Sequence, residues 1–241
     1  MRFVQLTLGE FCGIQYSVCH IYGALKRLAM NECYDRLLIA YLRGIGCQTA
    51  AGGPDAYAAG KAAGLKVHYF KRSALLPRVG LVLGFLRGIE FDSLLDVGSG
   101  RGAFLWPFLD EFPDNETHVV DLLPQRVALH RAVAAGGTFN LQVHEGDVRS
   151  LAFPDKSVDV VTMLEVLEHI PDVAGAVRNA VRMARRHVVV TVPSQRDDNP
   201  EHIHLLTKPA LTGLFHNAGC DNLRFDGVPG HLFMVAKVGK E

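Results

Sequence analysis

The sequence predicts an α/β protein built on a doubly wound, seven-stranded mixed sheet that follows a helical N-terminal segment. From Ser93 onward, strand-like and helical segments alternate, which is typical of β-α-β units and a mostly parallel sheet with helices on both faces. An apolar strand runs directly into a glycine-rich turn that begins at Gly98. Two strands near the end are joined by Gly227–Gly230, and a turn this short joins antiparallel neighbours.

Residues 1–66 are predicted to form a helical N-terminal segment and a connector, and residues 67–241 the main domain. The first helix follows a capping box at Thr7–Glu10 and carries an apolar stripe from Phe11 to Leu28. The second helix runs from Asn31 to Gly44. Two such helices cannot bury their apolar faces alone. We therefore expect them to pack on the main domain, as a lid, or on a second copy of the chain in a homodimer.

The connector is rich in alanine and glycine, which make up eleven of the nineteen residues from Gln48 to Lys66, and it holds one short helix that starts at Pro54. A further helix is predicted from Ser73 to Arg87. The strands of the sheet are predicted at Ser93–Val97, Thr117–Asp121, Asn140–His144, Val158–Leu164, Arg186–Val192, Asn222–Asp226 and His231–Val238, with helices at Ala103–Glu111, Gln125–Ala135 and Val173–Arg182.

The amino-acid composition and the net charge argue against several classes of protein. The 241 residues carry 25 Lys and Arg against 25 Asp and Glu, which argues against a protein whose main task is to neutralise a phosphate backbone. A local basic patch is compatible with a neutral sum. No stretch reaches the ~18–20 apolar residues of a membrane-spanning helix, and the residues after Met1 lack the pattern of a signal peptide. The odd number of cysteines, five, disfavours a disulfide framework. We expect a cytoplasmic protein without a membrane partner.

The glycine-rich turn is the first candidate for a binding site. Leu94–Gly102 reads Leu-Leu-Asp-Val-Gly-Ser-Gly-Arg-Gly, and glycines let a backbone turn tightly and approach a ligand closely. Asp121 ends the next strand, where a carboxylate can accept hydrogen bonds from both hydroxyls of a ribose. Gly98–Ala103 also fits the dinucleotide fingerprint G-x-G-x-x-A, so these residues alone predict a nucleotide-like ligand without choosing its class.

Several ordered segments resemble the class I S-adenosylmethionine-dependent methyltransferases, which have a Rossmann-like sheet. Leu94–Gly102 resembles their first motif and Val119–Asp121 their second. Glu145–Val148, followed by Leu151–Val160, is similar to the segment that packs on the adenine, and Met163–Pro171 is similar to the end of their fourth strand. The resemblance extends over Ser93 to Lys237. It is specific for fold and cofactor, but not for the acceptor, because that family methylates very different molecules.

The resemblance implies an S-adenosylmethionine-dependent methyltransferase and gives roles to individual residues. The methionine part of the cofactor would lie on Asp96, Gly98, Ser99, Gly100 and Gly102, the ribose on Asp121, and the adenine against Leu122, Asp147 and Val148, with Glu165 closing the pocket. Since Asp96 ends a buried strand, we expect nearby backbone N–H groups to satisfy its carboxylate.

The second candidate site is a Glu-x-x-Glu-His cluster formed by Glu165, Glu168 and His169. One helical turn would place these side chains on one face. One hypothesis is a site for Mg²⁺, Mn²⁺ or Zn²⁺, completed by a further ligand from the stretch His202–His204. A second hypothesis is that His169 is a general base oriented by either glutamate. A third is that Glu165 only closes the cofactor pocket and His169 is a structural loop residue.

The same cluster resembles that of the O-methyltransferases of ubiquinone biosynthesis and of the metal-dependent enzymes that methylate the 2′-hydroxyl at small-RNA 3′ ends. In both groups a histidine precedes the helix that here is expected to start near Thr207, and the resemblance implies His202, which fits that spacing slightly better than His204. The leading hypothesis is therefore O-methylation of a small hydroxylated molecule. Methylation of RNA at the 2′-hydroxyl is an alternative that the zero net charge opposes. A non-catalytic cofactor-binding or scaffold protein is a further alternative, which convergent carboxylates oppose. A nicotinamide dehydrogenase would leave the acidic cluster without a role.

Overall fold

The computed structural model describes residues 32–47, 54–70, 75–137 and 139–239. The predicted helix from Phe11 to Leu28 lies outside these residues. The helices are α1 (residues 32–44), α2 (Pro54–Ala62), α3 (Pro77–Leu86), α4 (Leu105–Glu111), α5 (Pro124–Gly136), α6 (Val173–Met183) and α7 (Lys208–Asn217). The strands are β1 (Ser93–Val97), β2 (Glu116–Asp121), β3 (Leu141–Glu145), β4 (Val158–Leu164), β5 (Ala184–Pro193), β6 (Asn222–Val228) and β7 (His231–Lys237). Two short 3₁₀ turns span Val67–Phe70 and Leu167–His169.

The strands form one seven-stranded sheet in the order β3-β2-β1-β4-β5-β7-β6. The first five strands run parallel, and β7 is antiparallel to both β5 and β6. This topology confirms the predicted doubly wound mixed sheet with an antiparallel C-terminal hairpin. The strand order reverses between β1 and β4, and open α/β sheets bind ligands in the crevice outside the carboxyl ends of the strands at such a point.

Two hydrophobic clusters cover the two faces of the sheet, because side chains alternate along each strand. Leu94 of β1 belongs to the cluster formed with α1 to α5, whereas the next residue, Leu95, belongs to the cluster formed with α6 and α7. All five residues of β1 are buried, as expected for a strand covered on both faces. No helix of the described residues is long and apolar enough to cross a membrane.

Helix α1 packs directly on α5, so the described end of the N-terminal segment lies on the main domain. A Cβ atom added to Gly44 would lie 1.8 Å from the carbonyl oxygen of Ala132, and one added to Gly136 would lie 1.9 Å from that of Ala40. The backbones therefore approach too closely for any side chain at these two glycines. The predicted boundary at residue 66 and the predicted homodimer stay predictions.

Two helix starts differ from the prediction by more than one residue. Helix α3 begins at Pro77 rather than Ser73, because the residue before a proline avoids helical geometry and Leu76 is extended, with ψ of 137°. Helix α4 begins at Leu105 rather than Ala103, because the glycine-rich turn continues through Gly102, which has a φ of +79°.

Candidate active site

The glycine-rich turn after β1 adopts a backbone that requires glycine. Gly98, Gly100 and Gly102 have φ angles of +69°, +57° and +79°, a region that other residues rarely adopt. A Cβ atom on Gly98 would also lie 2.6 Å from a methyl group of Val166. The turn therefore presents bare backbone toward the crevice between β1 and β4.

Asp96 has a buried carboxylate that contacts this turn. It accepts hydrogen bonds from the hydroxyls of Ser99, 2.5 Å away, and Thr162, 2.6 Å away. Burial raises the pKa of Asp96 to about 6, although both hydrogen bonds oppose that shift. The prediction that backbone N–H groups satisfy this carboxylate was wrong, because two hydroxyls do so. Asp96 therefore shapes the turn through Ser99.

Asp121 connects the end of β2 to the same turn. Its Oδ2 atom accepts the backbone N–H of Gly100 at 3.1 Å, and its Oδ1 atom accepts that of Leu123 at 3.0 Å. The carboxylate is thus fixed at the rim of the crevice. Leu122, beside it, is 61% exposed, which is unusual for a large apolar side chain and leaves a free surface next to the carboxylate.

Two cavities open on either side of the glycine-rich turn. The larger, of about 650 Å³, is lined by residues that follow β1, β2, β3 and β4, including Val97, Val120, Asp121, Leu122, Leu123, Arg126, Asp147, Val148, Arg149, Val166, His169 and Ile170. The smaller, of about 360 Å³, is lined by Arg78, Val79, Asp96, Ser99, Arg101, Ala103, Phe104, Leu164 and Thr191. Gly98, Gly100 and Glu165 line both. The arrangement suits an elongated ligand with two chemically different ends.

Asp147 lies on the wall of the larger cavity, where the resemblance predicts contact with adenine. Its carboxylate is paired with the guanidinium of Arg149, whose hydrogen bonds lower the pKa of Asp147. The backbone N–H of Arg149 donates to the same carboxylate at 2.9 Å. Val148 is buried directly behind it.

Glu165, immediately after β4, has a left-handed backbone with φ of +57°. Such a conformation is strained for a residue other than glycine and is common at functional sites. Its Oε2 atom lies 3.3 Å from Nε2 of His231, and its Oε1 atom lies 3.9 Å from Nε of Arg78. The carboxylate therefore lies between two potentially cationic groups from α3 and β7.

Glu168 lies on the 3₁₀ turn that follows and has a different environment. It is 0% exposed, and neither carboxylate oxygen has a hydrogen-bond partner among the described residues. Burial raises its pKa to about 8. Its backbone carbonyl accepts the N–H groups of Ile203 and His204, which fastens the segment before α7 to this turn. A buried carboxylate with no donor is costly unless a cation or proton satisfies it.

His169 and His202 lie beside Glu168, and one candidate ligand atom from each of the three residues lies within 4.8 Å of the others. The Nδ1 atom of His169 is 2.9 Å from the carbonyl oxygen of Glu201, and Nδ1 of His202 is 2.9 Å from Oδ1 of Asp197. Because both partners only accept hydrogen bonds, each Nδ1 atom carries the proton. In the neutral rings, both Nε2 lone pairs are then available to a cation.

The structure thus brings together three of the four predicted metal ligands, Glu168, His169 and His202. Glu165 lies apart, because its left-handed backbone directs the carboxylate to Arg78 and His231. His204 is not part of the group either: its Nε2 atom lies 3.1 Å from the carbonyl oxygen of Ile170.

The sequence interpretation missed Arg78 and His231. Both lie far from Glu165 in the chain and reach it only because α3 packs on the sheet and β7 pairs with β5, aligning His231 with Pro193. No motif in the sequence around Arg78 or His231 predicts that either residue lies near Glu165.

The glycine turn, the acidic residue after β2 and the seven-stranded sheet occur together here, as they do in the class I S-adenosylmethionine-dependent methyltransferases. Residues 95–191 match the family model described as a methyltransferase domain, which places that family's signature on the β1 to β5 part of this sheet.

Relatives and solved structures agree with this assignment. The chain is 30% identical over 144 residues to the ribosomal RNA small subunit methyltransferase A of Alcanivorax borkumensis, covering 54% of this chain and 49% of that protein. It is 29% identical to the sterol 24-C-methyltransferase of Aspergillus fumigatus, covering 50% and 33%. The chain therefore spans half or less of these curated relatives. The crystal structure of a SAM-dependent methyltransferase from Aquifex aeolicus superposes with a TM-score of 0.55 at 19% identity, covering 68% of this chain and 91% of that one, which shows the shared fold.

Proposed function

We propose that this chain transfers a methyl group from S-adenosylmethionine to a hydroxyl group of a small molecule, and that Glu168, His169 and His202 hold a divalent cation beside the acceptor. The observation that carries the proposal is the fully buried, unpartnered carboxylate of Glu168 next to two oriented imidazoles.

The two cavities suit the two ends of the cofactor. The larger cavity, with Asp121 at its rim and exposed Leu122 on its wall, would take the adenosine. Asp121 already accepts two backbone N–H groups and keeps lone pairs for the ribose hydroxyls. The smaller cavity would take the amino-acid end, whose carboxylate would meet the guanidinium of Arg78. The bare glycine turn lies between them.

The residues of the cluster also fit a cation. Each histidine has its Nδ1 atom oriented by an oxygen acceptor, which is the arrangement that metal-binding histidines usually have. Two imidazoles and one carboxylate favour Mn²⁺ or Zn²⁺ over Mg²⁺, because Mg²⁺ prefers oxygen ligands. Three protein ligands leave coordination positions for an acceptor oxygen. A bound cation would lower the pKa of the acceptor hydroxyl.

The rest of the chemistry depends on alignment. The sulfonium of the bound cofactor already activates the methyl group, so the protein must orient the acceptor and exclude water. Glu165 lines both cavities and lies between Arg78 and His231, so it would contact the cofactor where its two ends meet. The names of the relatives do not select an acceptor, since one names ribosomal RNA and another a sterol carbon.

Binding measurements test the cofactor and the cation separately. Isothermal titration of S-adenosylhomocysteine into EDTA-treated protein should show one site, and Asp121→Ala should weaken it by about tenfold, or ~1.4 kcal/mol. Titration of Mn²⁺ should show one site that His202→Gln weakens by about 10–100-fold. His204→Gln is the matched control, because His204 lies in the same segment as His202 but its Nε2 atom donates to the backbone carbonyl of Ile170.

Turnover tests the acceptor class. S-adenosylhomocysteine release should be measured with a panel of phenols and alcohols, each beside its amine counterpart, with Mn²⁺ or with EDTA. Methylation of hydroxyls that EDTA suppresses supports the proposal. Methylation of amines at rates that EDTA leaves unchanged contradicts both the acceptor class and the cation. EDTA-insensitive methylation of hydroxyls, lost in His169→Gln, would instead make His169 a general base.

A further inference from the structure

Two arginines that line the cavities lie against the ring of Tyr69, and the charge of Lys66 acts on the same tyrosine. We name Lys66, Tyr69, Arg101 and Arg126 the cationic rim. The guanidinium carbons of Arg101 and Arg126 lie 5.7 and 5.6 Å from the centre of the Tyr69 ring. Arg101 lines the smaller cavity and Arg126 the larger, so the rim joins both openings. These guanidiniums share one ring, which attracts each of them modestly.

The cations of the rim lack counter-charges, unlike the other charged groups of the site. Asp147 is paired with Arg149, and Glu165 lies near Arg78. In contrast, no salt bridge joins Lys66, Arg101 or Arg126 to a carboxylate within the described ranges. The charges that act on the Tyr69 hydroxyl are these three cations, and the hydrogen bond from Arg126 lowers its pKa most. In a chain of zero net charge, this is a local positive field.

The position of Arg126 is unfavourable for its own helix. It lies in the first turn of α5, whose first turn holds no acidic residue. The positive end of the helix dipole opposes a cation there by about 0.3–1 kcal/mol. The same helix end attracts an anion, so Arg126 and the dipole act in the same direction on a negatively charged ligand.

The residues that flank Tyr69 anchor the cationic rim to the hydrophobic core. Val67 and Phe70, on either side of Tyr69, are buried, and Phe70 stacks on Trp106 with ring centres 5.7 Å apart. The buried neighbours of Tyr69 therefore fix its backbone to the core, and Arg101 and Arg126 are in turn positioned by contact with the Tyr69 ring. A preorganised group of this kind loses less entropy when it binds a ligand.

We propose that the cationic rim binds the anionic group of the methyl acceptor, a phosphate or a carboxylate, so that the acceptor is an anionic small molecule. This inference rests on the proposed methyl transfer and adds the chemical class of the acceptor. Two guanidiniums on one ring, with Lys66 acting on the same tyrosine, match one anionic group. A nucleic acid would need a longer series of phosphate contacts.

The test uses simple anions as probes. Inorganic phosphate and malonate are each titrated at low ionic strength into protein saturated with S-adenosylhomocysteine, so that the cofactor site is filled. We expect at least one of them to bind with a Kd of about 1 mM, and Arg101→Gln and Arg126→Gln each to weaken that binding at least about fivefold. Tighter binding of phosphate than of malonate would identify the anionic group of the acceptor as a phosphate, and tighter binding of malonate would identify it as a carboxylate. Arg178→Gln is the matched control, because Arg178 is exposed on α6, away from the site, and should leave binding unchanged.

Other outcomes overturn the inference. No binding of either anion up to about 20 mM, or equal weakening in the Arg178 variant, would remove the rim from acceptor recognition. Loss of S-adenosylhomocysteine affinity in the rim variants would assign these arginines to the cofactor. Tight binding of a ten-nucleotide single-stranded RNA, with a salt slope above about 3, would indicate a polyanion. If anions bind but S-adenosylhomocysteine does not bind the wild-type protein, the proposed function fails while the anion site stands.

Discussion

The Nε2 atom of His231 lies 3.3 Å from Oε2 of Glu165, which connects the first residue of β7 to the residue that follows β4. Arg78 approaches the other oxygen of the same carboxylate. Glu165 and Glu168 are three residues apart, yet Glu165 has one carboxylate oxygen near His231 and one without a hydrogen-bond partner, whereas neither oxygen of Glu168 has a partner among the described residues. Two glutamates of one short motif therefore have different surroundings, from which we expect different tasks.

Substitution of each glutamate should separate these tasks. Glu168→Gln should weaken Mn²⁺ binding by about 100-fold, because it removes the only carboxylate of the cluster. Glu165→Gln should change Mn²⁺ affinity by less than about threefold, since its side chain lies apart from the other three residues. Isothermal titration with Mn²⁺ measures both. Equal losses in the two variants would place Glu165 in the metal site after all.

Arg78 should recognise the carboxylate of the cofactor's amino-acid end. Arg78→Met should weaken S-adenosylhomocysteine binding by about tenfold, or ~1.4 kcal/mol, because a charge-assisted hydrogen bond is lost. The affinity for 5′-methylthioadenosine, which lacks the amino-acid end, should stay unchanged. Titration of both ligands into both proteins gives the answer. A parallel decrease for the two ligands would mean that Arg78 acts on the pocket as a whole.

Among the glycines of the turn, Gly102 should be the one whose substitution lowers the free energy of unfolding most. A Cβ atom there would lie 2.0 Å from the buried Trp106 ring, in addition to the cost of a φ of +79°. Gly102→Ala should lower the free energy of unfolding by about 2–4 kcal/mol. Gly64→Ala is the control, because its φ is +72° but nothing lies within 4 Å of its Cβ position. It should cost only about 1–2 kcal/mol. Urea unfolding measures both, and equal costs would mean that Trp106 moves aside freely.

His130 should make the protein sensitive to acid. The ring is 0% exposed, neither nitrogen has a partner among the described residues, and burial, followed by repulsion from Arg126, lowers its pKa from 6.5 to about 4. The unfolded chain therefore binds a proton at a pH where the folded chain does not. The free energy of unfolding should be unaffected by this group above pH ~6.5 and should fall by about 3 kcal/mol as the pH drops toward 4.

The control for His130 is His130→Phe, which keeps an aromatic ring next to Trp106 but cannot titrate. Its free energy of unfolding should decline less between pH 6.5 and 4 than that of the wild-type protein. His118, His144 and His187 also have lowered pKa values and contribute to the decline in both proteins. Identical pH profiles would show that the protein accommodates the proton of His130 without cost.

The sequence was sufficient to predict the sheet, because each strand is a local apolar run bounded by turns. Strands β1 and β4 begin and end at the predicted residues, and the other strands differ by one to two residues at their ends. The hairpin was predictable from the short segment Gly227–Gly230, although β6 continues to Val228, so that two residues join β6 and β7. Local pattern and burial agree in these elements, so the prediction needed no knowledge of distant contacts.

The candidate site was predictable only in part, because its geometry depends on contacts between distant segments. Motif spacing indicated Glu168, His169 and His202, but it grouped Glu165 with them. The left-handed backbone of Glu165, and the approach of Arg78 and His231, appear only once α3 and β7 are packed in place. The same holds for the cationic rim, whose members come from three separate segments that meet at Tyr69.

The segment before α7 is fastened to the 3₁₀ turn by main-chain atoms, with the N–H groups of Ile203 and His204 donating to the carbonyl of Glu168. Such an anchor does not depend on which side chains the segment carries. Ile203 and Leu205, at 51% and 36% exposure, alternate with the two histidines and are free to change. Substitutions at these two exposed positions should therefore leave the backbone positions of both histidines unchanged.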